Sequence, residues 1–265
     1  MKLNIVPART GLTWVRLGIS TFFRQPLALA GLFFLYTAAM WLLGQVPFIG
    51  SAVSALLVPA TSLGMMVAAK QASDGKFPMP AVLLSAFRVG RERARATLLL
   101  GLLFAAGWFA TITLAGLASP LPPGAEATTP AGQGQLAGFY LIVTLLSVPL
   151  NVLFWHAPAL VHWHGVAPVK SLFFSMVACF RNLGAMLVFL LAWLAVFLAA
   201  VSAATLLAVA IGGPAMVQRV FFPLAMLLAA MFSTSIYFSF RDSFVADEAP
   251  TSGESHDATH PGRPN

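Results

Sequence analysis

The sequence predicts an all-α fold: a polytopic membrane helix bundle with six transmembrane helices and three interfacial amphipathic helices on the cytosolic side. Three observations carry the prediction. First, 59% of the 265 residues are hydrophobic and 9% are charged, against about 25% charged in soluble domains. A water-soluble core cannot hide that much apolar surface, but lipid accepts it. Second, six apolar runs of spanning length are separated by Pro, Gly and basic residues. Third, the basic residues sit just outside those runs, where the inside-positive bias of membrane proteins places them. The formal net charge is +7, yet Lys and Arg do not gather into one dense patch. A nucleic-acid partner is therefore not expected.

Residues 11–25 come first. Thr13, Arg16, Ser20 and Arg24 make one stripe, and Leu12, Val15, Ile19, Phe22 and Phe23 make the opposite one. That is helical amphipathicity. Such a helix lies in the membrane interface or packs on the protein's own bundle. Pro26 has no backbone N–H and redirects the chain into span 1, about 27–45. A tight uncharged link leads to span 2, about 49–69, with Pro59 inside it. Ser73-Asp74-Gly75-Lys76 is a turn signal.

A second amphipathic helix is predicted at 80–95, with Ser85, Arg88, Glu92 and Arg95 opposite Leu83, Ala86 and Phe87. Arg91, Arg93 and Arg95 stand immediately before span 3, about 96–118. The Pro- and Gly-rich stretch 119–135 reads as a loop. Span 4, about 136–160, holds Pro149 and Asn151 in its middle and Pro158 near its end. The third amphipathic helix, 168–182, turns Leu172, Phe173, Met176 and Phe180 one way and Ser171, Ser175 and Asn182 the other. Spans 5 and 6 follow at about 183–211 and 220–240, the latter with Pro223. Residues 1–241 thus make a single transmembrane domain. The tail, 242–265, is acidic and then Ser-, His- and Pro-rich, and it is expected to be disordered.

Charge orients the layout. With the N-terminus in the cytoplasm, segments 1–25, 70–95, 161–182 and 241–265 lie inside and hold 4, 6, 2 and 2 of the 15 Lys and Arg. Only Arg219 falls outside. Both termini are therefore expected in the cytoplasm. The first apolar run is too long and too far from the start for a cleavable leader. Phe23-Arg24, Phe87-Arg88 and Phe180-Arg181 each precede an apolar run. This predicts a threefold repeat of like-oriented helix hairpins.

Candidate sites are few. No ionisable group falls near a predicted span centre, which weighs against proton pumping, ion-coupled transport and carboxylate chemistry. The polar residues that remain are Thr37, Asn151, Thr205 and the run Ser233, Thr234 and Ser235. They pack between helices or line a weakly polar cavity. His156, His162 and His164 are weak metal candidates, because imidazole is a common ligand but no Cys, Asp or Glu is near. With Trp155 and Trp163 they also suit an interfacial belt. Cys179, the one cysteine, cannot form an intrachain disulfide. It reads as a palmitoylation or redox site or as a small apolar filler. Arg16, Arg24, Arg88, Arg91, Arg93, Arg95, Lys170 and Arg181 are placed to meet lipid headgroups, anionic ones at about 1 kcal/mol each. Gly31, Gly101 and Gly184 read as points of close helix approach.

Two stretches, FWHAPALVHWHGVAPVKSLFFSMVACFRNLGAMLVF (154–189) and NIVPARTGLTWVRLGISTFFRQPLALAGLFF (4–34), resemble a family of six-span proteobacterial inner-membrane proteins with no assigned activity. The shared pattern is carried by Ala157, Pro158, Ala159, Leu160, Gly165, Pro168, Ser171, Leu172, Ser175 and Asn182. The resemblance covers most of residues 1–240 and fails over the tail. It implies topology and the bacterial inner membrane as location, and no activity. The expectation is a non-enzymatic structural or accessory protein without a cofactor. Its partners would be the lipid bilayer, anionic lipids and a membrane protein. The alternatives are a transporter or lipid-handling protein whose cavity is lined by Asn151, Thr37 and residues 233–235, and a histidine metalloprotein.

Overall fold

The structure, a computed structural model, describes residues 2–120 and 130–245. Six of its helices are long and apolar enough to cross a membrane. They are α2 (Pro26–Gly44), α3 (Gly50–Ser73), α5 (Arg91–Ala118), α6 (Pro130–Phe154) with its continuation α7 (Ala157–His164), α9 (Leu183–Gly212) and α10 (Pro214–Ser243). Between and before them lie α1 (Thr10–Arg24), a 3-10 turn at Pro80–Leu84, α4 (Ser85–Arg88) and α8 (Pro168–Arg181). Consecutive spans pack as pairs, α2 on α3, α5 on α6 and α9 on α10, and α10 also lies on α3. Leu27, Leu141, Leu191 and Leu206 all face outward, Leu27 being 88% exposed. A fold in water would bury such a set; on a spanning bundle it faces lipid.

The interior is built around α1. Its buried residues are Gly11, Trp14, Val15, Gly18, Thr21 and Phe22, a helical stripe set against α9 and α10. Trp14 contacts Asp242, Gly18 contacts Ser235, and Phe22 clusters with Ala230. The contacts move back along α10 as the chain moves forward along α1, so the two helices run antiparallel. A Cβ on Gly18 would lie 2.3 Å from the Ser235 Cβ, so this crossing admits no side chain. Gly101 plays the same part for α5 on α3, where a Cβ would meet the Leu56 carbonyl at 2.1 Å. Gly31 does not: open space surrounds it.

Several expectations need correction. The inward stripe of α1 is rotated from the one read in sequence: Leu12 and Phe23 are exposed, and Gly11 and Gly18 take inward places. Small residues won there because helix backbones approach more closely over them than over large apolar side chains. The helix expected at 80–95 is broken. Gly90 adopts φ 114°, a conformation open to glycine, and Arg91, Arg93 and Arg95 belong to the first turns of α5. On α8 the serine face is the inner one: Ser171 and Ser175 are fully buried, and Phe173 and Phe180 are 56% and 62% exposed. Span 4 is interrupted at Trp155 and His156. The loop expected at 119–135 is shorter, since α6 begins at Pro130; residues 121–129 lie outside the described residues. The tail begins later, because Asp242 and Ser243 end α10 and Phe244–Val245 forms a strand (β2). Residues 246–265 lie outside the described residues.

Candidate functional site

The links on one side of the bundle are tied to one another. The strand β1 (Lys2–Leu3) pairs antiparallel with β2, so the two ends of the described chain meet. The Asn182 side chain accepts the Val6 N–H at 2.9 Å and donates to the Asn4 carbonyl at 3.1 Å and the Ser243 hydroxyl at 3.4 Å. The Trp14 indole donates to Asp242 at 2.9 Å. Gln25 donates to the Lys76 carbonyl at 3.2 Å, and Arg93 donates to the His162 carbonyl. One end of the molecule therefore collects the starts of α1, α5 and α9 and the ends of α3, α7 and α10.

The residues of the APAL pattern have local tasks at this end. Pro158 lacks the N–H that would bond within the helix, and the Ser175 hydroxyl sits in the adjoining turn between the His156 N–H and the Val152 carbonyl. A polar group inserted into the helical ladder is a recognised cause of a kink. Ala157, Ala159 and Leu160 are fully buried behind it. Gly165 caps α7 in a left-handed conformation, and Pro168 begins α8. The pattern thus builds a folded corner. Beside it, burial pushes the Cys179 thiol up to about 12, against a smaller lowering by its hydrogen bond with Ser175.

Arg16, Arg24, Arg88, Arg91, Arg95, Lys170 and Arg181 are exposed. None has an ion-pair partner among the described residues. Arg93 is half-buried and engaged with His162. Exposed phenylalanines adjoin two of these cations, in Phe23-Arg24 and Phe180-Arg181. Elsewhere Lys70 pairs with Asp74 at 2.8 Å, and that hydrogen bond holds the Asp74 carboxyl below the usual range.

The three histidines lie against aromatic rings. His156 is fully buried against the rings of Phe240 and Phe244. His162 lies against Trp163, and His164 against Phe240. Among the described residues no group of three His, Cys, Asp or Glu is arranged to hold a metal. The intramembrane polar residues mostly bond their own helices. Thr37 donates to the Phe33 carbonyl, Thr234 to that of Ala230 and Ser235 to that of Phe232. Ser235 also receives the Trp193 indole N–H at 3.1 Å, while Ser233 is half-buried. Asn151 likewise donates to the Ser147 carbonyl of its own helix, and it also lines a cavity of about 180 Å³ with Pro59, Phe104 and Pro158.

Trp14 and Asp242 did not stand out in the sequence. Their roles depend on contacts between distant segments, for which no local pattern exists. A relative in Burkholderia thailandensis, named a probable inner membrane protein, is 37% identical over 259 residues, covering 94% of this chain and 96% of that protein. No family model matches the chain, and no solved structure matches it.

Proposed function

This chain belongs to the family of that Burkholderia inner-membrane protein, and from this premise we propose a non-enzymatic structural or accessory role in the bacterial inner membrane. Its basic end faces the cytoplasm and engages anionic lipid, with a membrane-protein partner docking on the same face. The observation that carries the reading is the fringe of exposed cations without ion-pair partners among the described residues, set beside the exposed Phe23 and Phe180. Cationic groups next to apolar side chains suit the boundary between headgroups and acyl chains.

A threefold arrangement is part of the reading. The 80–88 segment packs on α3, α8 packs on α6 and α7, and α1 packs on α9 and α10. Each short helical segment thus lies against the preceding pair of spans, with the first closing onto the last. This is support for a ring of three like-oriented hairpins.

Mass spectrometry of lipids and proteins co-purified from native membranes tests the role. The expected result is anionic phospholipid enriched over its share of the membrane, and less so after Arg91, Arg93 and Arg95 are neutralised. Bound lipid that mirrors the bulk composition in both proteins contradicts it. A second reading, lipid handling, is favoured by the Asn151 cavity among α3, α5, α6 and α10. Labelled-lipid transfer that depends on Asn151 would replace the first reading with this one.

A further inference from the structure

The basic end contains a cavity of about 380 Å³ between the end of α3, the 80–89 segment and α7. That volume falls in the roughly 300–1,000 Å³ range of small-molecule sites. Its polar lining is Gln71, Ser85, Arg88 and His162; the remainder is apolar, with Val67 and Met79 among it, and no lining residue is acidic. Two of the polar groups are anomalous. Ser85 Oγ and His162 Nδ1 are both buried with no hydrogen-bond partner among the described residues. An unsatisfied buried polar atom costs about 1–3 kcal/mol, and native folds leave few of them. Arg88 adds a guanidinium with no ion pair among the described residues.

We propose that this cavity is a binding site for a phosphate group carried on an apolar body, the chemistry of an anionic phospholipid headgroup. Phosphate oxygens accept the Ser85 hydroxyl, the His162 N–H and the Gln71 amide, and Arg88 binds them in the forked geometry that guanidinium favours. The apolar lining receives the glycerol and the first methylenes. The inference rests on the reading that this end meets anionic headgroups, and it narrows that reading from a fringe of charge to one pocket.

The test uses the full chain in detergent, with native mass spectrometry and titration against three probes: phosphatidylglycerol, phosphatidylcholine and inorganic phosphate. The expected result is saturable binding of phosphatidylglycerol over phosphatidylcholine. Arg88→Gln should weaken it about tenfold or more, as loss of a charge-assisted bond predicts. Ser85→Ala should weaken it less, and Arg181→Gln, on the fringe outside the cavity, by only a few fold. Arg88-dependent binding of inorganic phosphate without the lipid also supports the site and makes free phosphate its source. Equal, small losses in Arg88→Gln and Arg181→Gln overturn the pocket while leaving the charged fringe. No preference of any variant for the anionic lipid overturns both. Should Arg88→Gln elute as aggregate, Ser85→Ala decides the matter, and unchanged affinity there counts against the pocket.

Discussion

The Ser175 hydroxyl accepts the His156 backbone N–H at 3.0 Å and donates to the Val152 carbonyl at 2.9 Å. Those two backbone groups stand in the i, i−4 relation that an uninterrupted helix would join directly. A side chain from α8 thus holds span 4 open near its carboxyl end and fixes where α7 departs. Replacing Ser175 with Ala strands both groups in a buried place. A loss of about 1–3 kcal/mol is expected, read as a lower melting temperature in detergent. An unchanged melting temperature would show that the backbone closes the gap without help.

Two glycines make a matched pair. Gly18→Ala drives a methyl to 2.3 Å from the Ser235 Cβ, and overpacking of this kind costs about 1–3 kcal/mol. Gly31→Ala meets nothing and replaces a poor helix former with the best one, a gain of up to about 1 kcal/mol. Melting temperatures should move in opposite directions. Shifts of the same sign and size would place α1 elsewhere.

The fold is legible in the sequence where one solvent decides the outcome. Hydrocarbon demands long apolar helices, and runs such as 27–45 and 183–211 announce them within a few residues of α2 and α9. It is less legible where protein replaces lipid as the neighbour. On α8 the serine stripe lies opposite the phenylalanines, and the face it occupies is the interior. In a membrane protein the polar stripe finds hydrogen-bond partners within the fold, and the phenylalanines are left to lipid, so a stripe alone does not tell inside from outside. The break at Gly90 carried a signal in the glycine itself. The pairing of Trp14 with Asp242 spans the whole chain and left none.

Asn182 ties the amino-terminal strand region to the end of α10 through Val6, Asn4 and Ser243. Asn182→Ala should loosen that clasp without unfolding the spans. Hydrogen exchange at the Val6 amide should rise about tenfold or more, the factor that corresponds to one lost hydrogen bond, while α9 and α5 keep their protection. Protection unchanged at Val6 would mean that the β1–β2 pairing suffices alone.

Cys179 should be inert. Its thiol is pushed up to about 12 by burial, and the reactive species is the thiolate. The thiol therefore stays protonated as pH rises through the range in which an ordinary cysteine, at about 8.5, ionises. A maleimide at pH 8 should leave the folded protein unlabelled and label it after denaturation in SDS. Rapid stoichiometric labelling of the folded protein would instead favour the modification or redox reading of this residue.

The proposed arrangement requires six crossings with the basic end in the cytoplasm. The direct measurement is a set of paired fusions after Lys76, Ser119, Gly213 and Arg241, each made with a cytoplasm-active fluorescent reporter and a periplasm-active phosphatase. Fluorescence after Lys76 and Arg241 and phosphatase activity after Ser119 and Gly213 are the predicted results. Phosphatase activity after Arg241, or fluorescence after Gly213, would contradict it.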